Sequence, residues 1–205
     1  MSFFLLLIIL SRSYVDIPTF NAPVDNTPQT PNLLQSIEIH GDLLFARYRD
    51  DYVLILSMDN SNSFIYDQSI SIKYKNSSIP IDSILIYNQQ LWICAGYIIS
   101  IYDIHKQSKK TTFDLAMRKH FEGDQILTML GMTNYVWAGS SCGNIYIFRM
   151  DNYELFETFN GHKDGVCCFC PMFDTQVISG SKKNDTSIII WKNIDTGNFI
   201  ENTRL

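Results

Sequence analysis

The sequence predicts an all-β fold made of repeated four-stranded antiparallel sheets. Short apolar runs alternate with turns rich in Gly, Asn, Asp and Ser from about Leu33 onward. No segment carries a helical stripe over three turns, and the best candidate, Phe113 to Phe121, is too short and too mixed. Eleven Tyr and thirteen Phe, with many Ile, favour strands over helices.

Taken in order, the first element is an unbroken apolar run from Phe3 to Leu10. It is too short for a membrane-spanning helix, which needs roughly 20 apolar residues. It reaches the lower limit of a signal-peptide core, but no basic residue precedes it and no small-x-small cleavage site follows closely. Residues 1–17 therefore read as a strand remnant or a signal-like segment. Pro18, Pro23, Pro28 and Pro31, with Asn and Thr between them, mark residues 18–32 as an extended linker. Residues 33–205 hold the sheets. Strands are expected at Leu43–Tyr48, Tyr52–Met58, Ile81–Tyr87, Leu91–Ala95 and Ile98–Asp103, where β-branched and aromatic residues concentrate between turn signals. The same pattern gives Ile126–Met132, Tyr135–Ser140, Asn144–Phe148, Val166–Cys170, Gln176–Ser179 and Ser187–Lys192.

Internal repetition chooses among the all-β architectures. LWICAGYIISIYD from Leu91, VWAGSSCGNIYIFR from Val136 and VISGSKKNDTSIIIWK from Val177 align with one another. Each is an apolar strand ending in a small residue and Gly, then a turn, then a second strand. The small residues Ala95, Ala138 and Ser179 recur after 43 and 41 residues. LLFARYRDDYVLILS from Leu43 is a weaker fourth copy. A period of about 40–45 residues with four strands per unit is the signature of a β-propeller blade. One blade cannot bury its faces alone, so neighbours must stack on both. About four blades are countable. Three readings follow: a small closed ring, an open half-ring completed by a second chain, or a fragment of a longer propeller. An unclosed ring leaves blade faces and strand edges exposed, which invites self-association or completion by another chain.

The last copy also carries GHKDGV from Gly161, then Asp185 and Trp191. This resembles a WD repeat. The resemblance implies that His162, Ser179, Asp185 and Trp191 form one buried hydrogen-bonded chain, with Ser181 an alternative for the hydroxyl. The other copies depart from the pattern: Tyr102-Asp103 and Phe148-Arg149 stand where Trp-Asp would, Cys142 replaces the turn Asp, and Gly123-Asp124 replaces Gly-His. Even the last copy has Trp191-Lys192. The Val-Trp-Ala-Gly strand and loose repeats are similar to propellers appended to large signalling proteins.

The resemblance implies a non-catalytic scaffold for other proteins or peptides in a signalling or regulatory assembly. By the same resemblance, Lys163, Asp164, Lys182, Lys183 and Asn184 surface together on one rim as partner contacts. The net charge of −5 gives no electrostatic reason to expect a nucleic-acid or anionic-membrane partner. No nucleophile, phosphate-cradling or zinc-binding motif is present, and no cofactor or metal is expected. Cys167, Cys168 and Cys170 lie close in sequence, but as adjacent strand residues Cys167 and Cys168 face opposite ways and cannot easily share one metal. They are expected as small buried hydrophobes on an inner strand. Five cysteines without a disulfide framework point to a reducing, cytoplasmic setting. Two other readings stay open: a propeller enzyme with acidic or His residues lining the channel, and a secreted or anchored propeller if Phe3–Leu10 is a signal.

Overall fold

Alternation along each strand decides which side chains meet the neighbouring sheet. The computed structural model describes residues 34–205 apart from 49–51, 59, 61–63, 72, 75–76, 107, 116–123, 174 and 196–197. The segments assigned to residues 1–17 and 18–32 lie outside the described residues. Among the described residues there is no α-helix.

Strands β1 (Leu34–His40), β2 (Leu43–Tyr48), β3 (Tyr52–Met58) and β4 (Phe64–Ser71) form the first sheet, in chain order. A short pair, β5 (Lys73–Tyr74) and β6 (Ser77–Ser78), follows. The second sheet holds β7 (Ser83–Tyr87), β8 (Gln90–Ala95), β9 (Ile98–Asp103) and β10 (Ser108–Asp114). The third holds β11 (Ile126–Met132), β12 (Tyr135–Ser140), β13 (Asn144–Arg149) and β14 (Leu155–Asn160). The fourth holds β15 (Val166–Met172), β16 (Gln176–Ser181), β17 (Ile188–Asp195) and β18 (Asn198–Arg204). Every pairing is antiparallel between consecutive strands.

The sheets stack face to face through three apolar layers. Phe45, Val53 and Ile55 of the first sheet meet Ile93, Ala95 and Ile98 of the second. Trp92, Cys94 and Ile99 on the other face of the second sheet meet Val136, Ala138 and Phe148 of the third. Trp137, Ile145 and Ile147 then meet Val166, Val177 and Trp191 of the fourth. The first strands of successive sheets lie side by side: β1 with β7, β7 with β11, β11 with β15. This is the blade order of a β-propeller, and four blades make an incomplete ring. Two glycines set how closely the blades approach. A Cβ on Gly131 would fall inside the ring of Tyr87, and one on Gly139 would sit 2.7 Å from Val166 Cβ. Both neighbours belong to an adjacent blade, so any side chain there forces the sheets apart.

Several expectations need correction. β1 and the outer strands β4, β10 and β14 were absent from the sequence reading. Their composition is mixed; β10, SKKTTFD, is mostly exposed and earns its place by pairing with β9. Cys167, Cys168 and Cys170 do lie on an innermost strand, β15, but all three are exposed. The face to which Cys168 and Cys170 belong is one that no described residue covers. Tyr102, Phe148 and Trp191 do occupy one place: they pair with Leu91, Val136 and Val177, the residue after the first of each second strand, and each stands at the bulge toward its outer strand. By that register Ile93, and not Ala95, matches Ala138 and Ser179.

Candidate functional site

The rim of the fourth blade is built by two loops, residues 161–165 before β15 and residues 182–187 between β16 and β17. The loops are tied to each other. Lys182 N–H donates to the Gly165 carbonyl at 2.8 Å. Asn184 N–H donates to Asp164 Oδ2 at 3.0 Å, and Lys163 N–H donates to Asp185 Oδ2 at 2.8 Å. Those backbone donors hold both carboxyls below their ordinary value: for Asp164 the Gly165 and Asn184 N–H groups come first, for Asp185 the Lys163 N–H. The two carboxylates are thus fixed as loop braces. Lys163, Lys182, Lys183 and Asn184 are exposed on this braced backbone, and Asp164 is half-buried. The structure therefore brings the five proposed rim residues onto one patch.

Beneath the rim, the four residues implied by the resemblance meet. Trp191 Nε1–H donates to Ser179 Oγ at 2.8 Å. Ser179 Oγ lies 2.8 Å from His162 Nε2. His162 Nδ1 lies 3.1 Å from Asp185 Oδ2 and 2.8 Å from Ser187 Oγ. Burial pushes the imidazole below its ordinary value, and Asp185 only partly offsets this. A neutral ring fits the network in one tautomer: Nε2 accepts from the Ser179 hydroxyl, and Nδ1–H donates toward Asp185 and Ser187. Every buried member then has a partner, as such a chain requires. Ser181 plays no part in it; its hydroxyl lies near the Asp164 and Lys182 carbonyls instead. Arg204 adds an anchor that the sequence reading missed. Its guanidinium donates to the Gly161 carbonyl at 2.8 Å and pairs with Glu201.

The third blade anchors its rim on a different hub, Asp124, which stands two residues before Ile126 as Asp164 stands two before Val166. Asp124 is 2% exposed, with Cys142 N–H, Ser141 Oγ, Tyr146 Oη and Asn144 Nδ2 within 2.9–3.1 Å. Burial alone pushes its carboxyl up, but donors from Ser140, Asn144, Cys142 and Tyr146 outweigh that and leave it below the ordinary value. Asp124 is therefore a saturated acceptor with no lone pair turned to a ligand. At the opposite rim, Asn88, Gln90, Asn134, Tyr135, Arg149 and Asp151 line an open cleft between the second and third blades. A further basic pair, Lys109 and Lys110, lies exposed along β10, where Lys110 reaches Asp103 at 3.5 Å. A third basic run in the sequence, Arg118, Lys119 and His120, lies outside the described residues. Among the described residues no three His, Cys, Asp or Glu side chains converge as a metal site.

Comparison with known proteins agrees with this architecture. The chain superposes on the crystal structure of the computationally designed Ika4 protein with a TM-score of 0.62 and 13% identity, over 80% of this chain and 93% of that one. It superposes on a chain of the mitotic checkpoint complex with a TM-score of 0.63 and 12% identity, over 85% of this chain and 52% of that one. The fold is a β-propeller arc. At such identities the likeness is one of fold. In sequence, the chain is 23% identical to DENN domain-containing protein 3 of Mus musculus, over 58% of this chain. It spans about 10% of the length of that curated relative. No family model matches the chain.

Proposed function

We propose that the chain is a propeller segment of WD-repeat type that acts as a non-catalytic scaffold, holding partner proteins or peptides in a signalling or regulatory assembly. The observation that carries this is the braced double loop. Lys163, Lys182, Lys183 and Asn184 stand exposed on a backbone pinned by Asp164 and Asp185, and the loop below is fastened to the blade through His162, Ser179 and Trp191. A rigid cationic rim presents charge to a partner without the entropy cost of ordering a loose loop. Acidic or phosphorylated peptides fit that chemistry. A solved propeller of similar fold belongs to a chain of a mitotic checkpoint complex, which supports a role in an assembly. The four exposed thiols, at Cys142, Cys167, Cys168 and Cys170, suit a reducing, cytoplasmic setting.

The test is affinity capture with the full chain, followed by mass spectrometry. Lys182→Glu combined with Lys183→Glu is expected to leave the melting temperature within error, because both side chains are exposed. The same double variant is expected to deplete captured partners. An unaltered partner set would remove the rim from the account.

A further inference from the structure

We propose that the chain closes its ring against a second copy of itself, the face of its last blade that no described residue covers docking on the corresponding face of its first. The argument is one of register. Where the third blade meets the fourth, Gly139 pairs along its ladder with Ile145, and Trp137 with Ile147. All of these lie buried against the fourth blade. The fourth blade repeats the arrangement with Gly180 paired to Ile188 and Ile178 paired to Ile190. Here no described residue covers them: Ile145 is 0% exposed and Ile188 is 46% exposed. The last blade thus carries the forward half of a blade contact whose other half no described residue supplies.

The missing half is present at the other end of the arc. Val166 and Ile126 each stand at the start of a first strand, immediately before a bulge, and both are fully buried. Leu34 stands at the same point of β1, before the same bulge, and is 47% exposed. Ile39 on that strand is 52% exposed, while Phe45, Val53 and Ile55, which point to the second blade, are buried. The backward face of the first blade is therefore apolar, uncharged and in register for a Gly-containing forward face. Val166 packs on Gly139; by equivalence, Leu34 of one copy packs on Gly180 of the other, beside its ladder partner Ile188.

A second copy covers at once both faces that the described residues leave exposed. Two arcs of four blades related by a twofold axis give a ring of about eight, within the usual propeller range, and the two heterologous contacts close. The inference rests on the fold and is independent of what the rim recognises.

The experiment is light scattering on the full chain after size-exclusion chromatography, across a concentration series. The expected particle has twice the chain mass of 23.7 kDa. Leu34→Lys alone and Ile188→Glu alone are each expected to give a particle of single mass with an unchanged circular dichroism spectrum, since both side chains are exposed. Combined in one chain, the two substitutions place opposite charges across the contact and are expected to restore the doubled mass. A wild-type particle of single mass overturns the proposal. So does a dimer indifferent to both single variants, or mass that grows without limit as concentration rises. A single-mass chain that still captures partners through its lysine rim would end this inference and leave the proposed function standing.

Discussion

The third and fourth blades have the same backbone plan and different polar hearts. In the fourth, Trp191, Ser179 and His162 form a line of donors and acceptors that ends on Asp185. In the third, the ladder puts Phe148 at the place of Trp191 and Ala138 at the place of Ser179. Both links are replaced together. Asp124 stands two residues before Ile126, as Asp164 stands two before Val166, and like Asp164 it accepts from a backbone N–H of the facing turn. A Phe cannot donate and an Ala cannot relay, so the third blade gathers its loop around a carboxylate instead, with Tyr146, Asn144, Ser141 and Cys142 as donors. The difference teaches that the fold demands a saturated buried anchor under each of these rims, and not one particular set of residues. It also shows why motif matching grades the third blade as degenerate although its anchor is complete.

The largest expected break in the comparison is Trp191→Ala. It removes a 3% exposed indole that stacks on Phe159 at 4.9 Å and leaves Ser179 without its donor. Chemical denaturation is expected to show a loss of about 3–5 kcal/mol. Next comes Asp124→Ala, which removes the shared acceptor of Tyr146, Asn144, Ser141 and the Cys142 N–H under the third rim. About 2–3 kcal/mol is expected from the same measurement. A loss below ~0.5 kcal/mol, the range of ordinary surface substitutions, would mean that the Asp124 cluster is not an anchor.

The smallest effect is on pH, and it separates the two blades most sharply. The folded chain holds His162 below its ordinary value of 6.5, so the unfolded chain binds the extra proton first. The contribution of His162 is complete above that value and is lost as pH falls from it through the folded value. Asp124 also titrates below its ordinary value, which is 3.8, so its contribution persists until pH falls below that point. Between about pH 6 and pH 4, amide protection relative to the intrinsic exchange rate is expected to fall around residues 161–187 and to stay constant around residues 124–146. His162→Gln is expected to remove the fall. An equal loss of protection in both blades would assign it to a different group.

The parts of the fold legible in the sequence are those whose side chains are squeezed between blades. β8, β9, β12 and β13 read as strands because neighbours on both faces require apolar residues along their length. β10 and β14 did not, because the outer positions of a blade are wetter and tolerate Lys, Thr, Glu and Asn. Within the site, His162, Ser179, Asp185 and Trp191 were legible because each is a distinctive residue at a fixed spacing. The Asp124 hub was not, since its donors include a turn backbone and a tyrosine that the chain brings together only on folding. The available signal was Gly123-Asp124 followed by Ser140-Ser141, a carboxylate ahead of a hydroxyl-rich turn. The exposure of Cys168 and Cys170 had no sequence signal, because a strand's composition does not say whether a further blade covers it.

Stacking of separate sheets is the claim on which the rest depends, and the contact between Gly139 and Val166 reports on it directly. The two residues belong to different sheets and would touch only if the third and fourth blades lie face to face. A double-mutant cycle of Gly139→Ala and Val166→Gly measures the coupling by denaturation. Each single change is expected to destabilise, the first by crowding and the second by a cavity. The account predicts that the pair together is more stable than the sum by more than about 1 kcal/mol, because the added methyl takes up vacated space. Additivity within about 0.5 kcal/mol, as for distant independent sites, would contradict it.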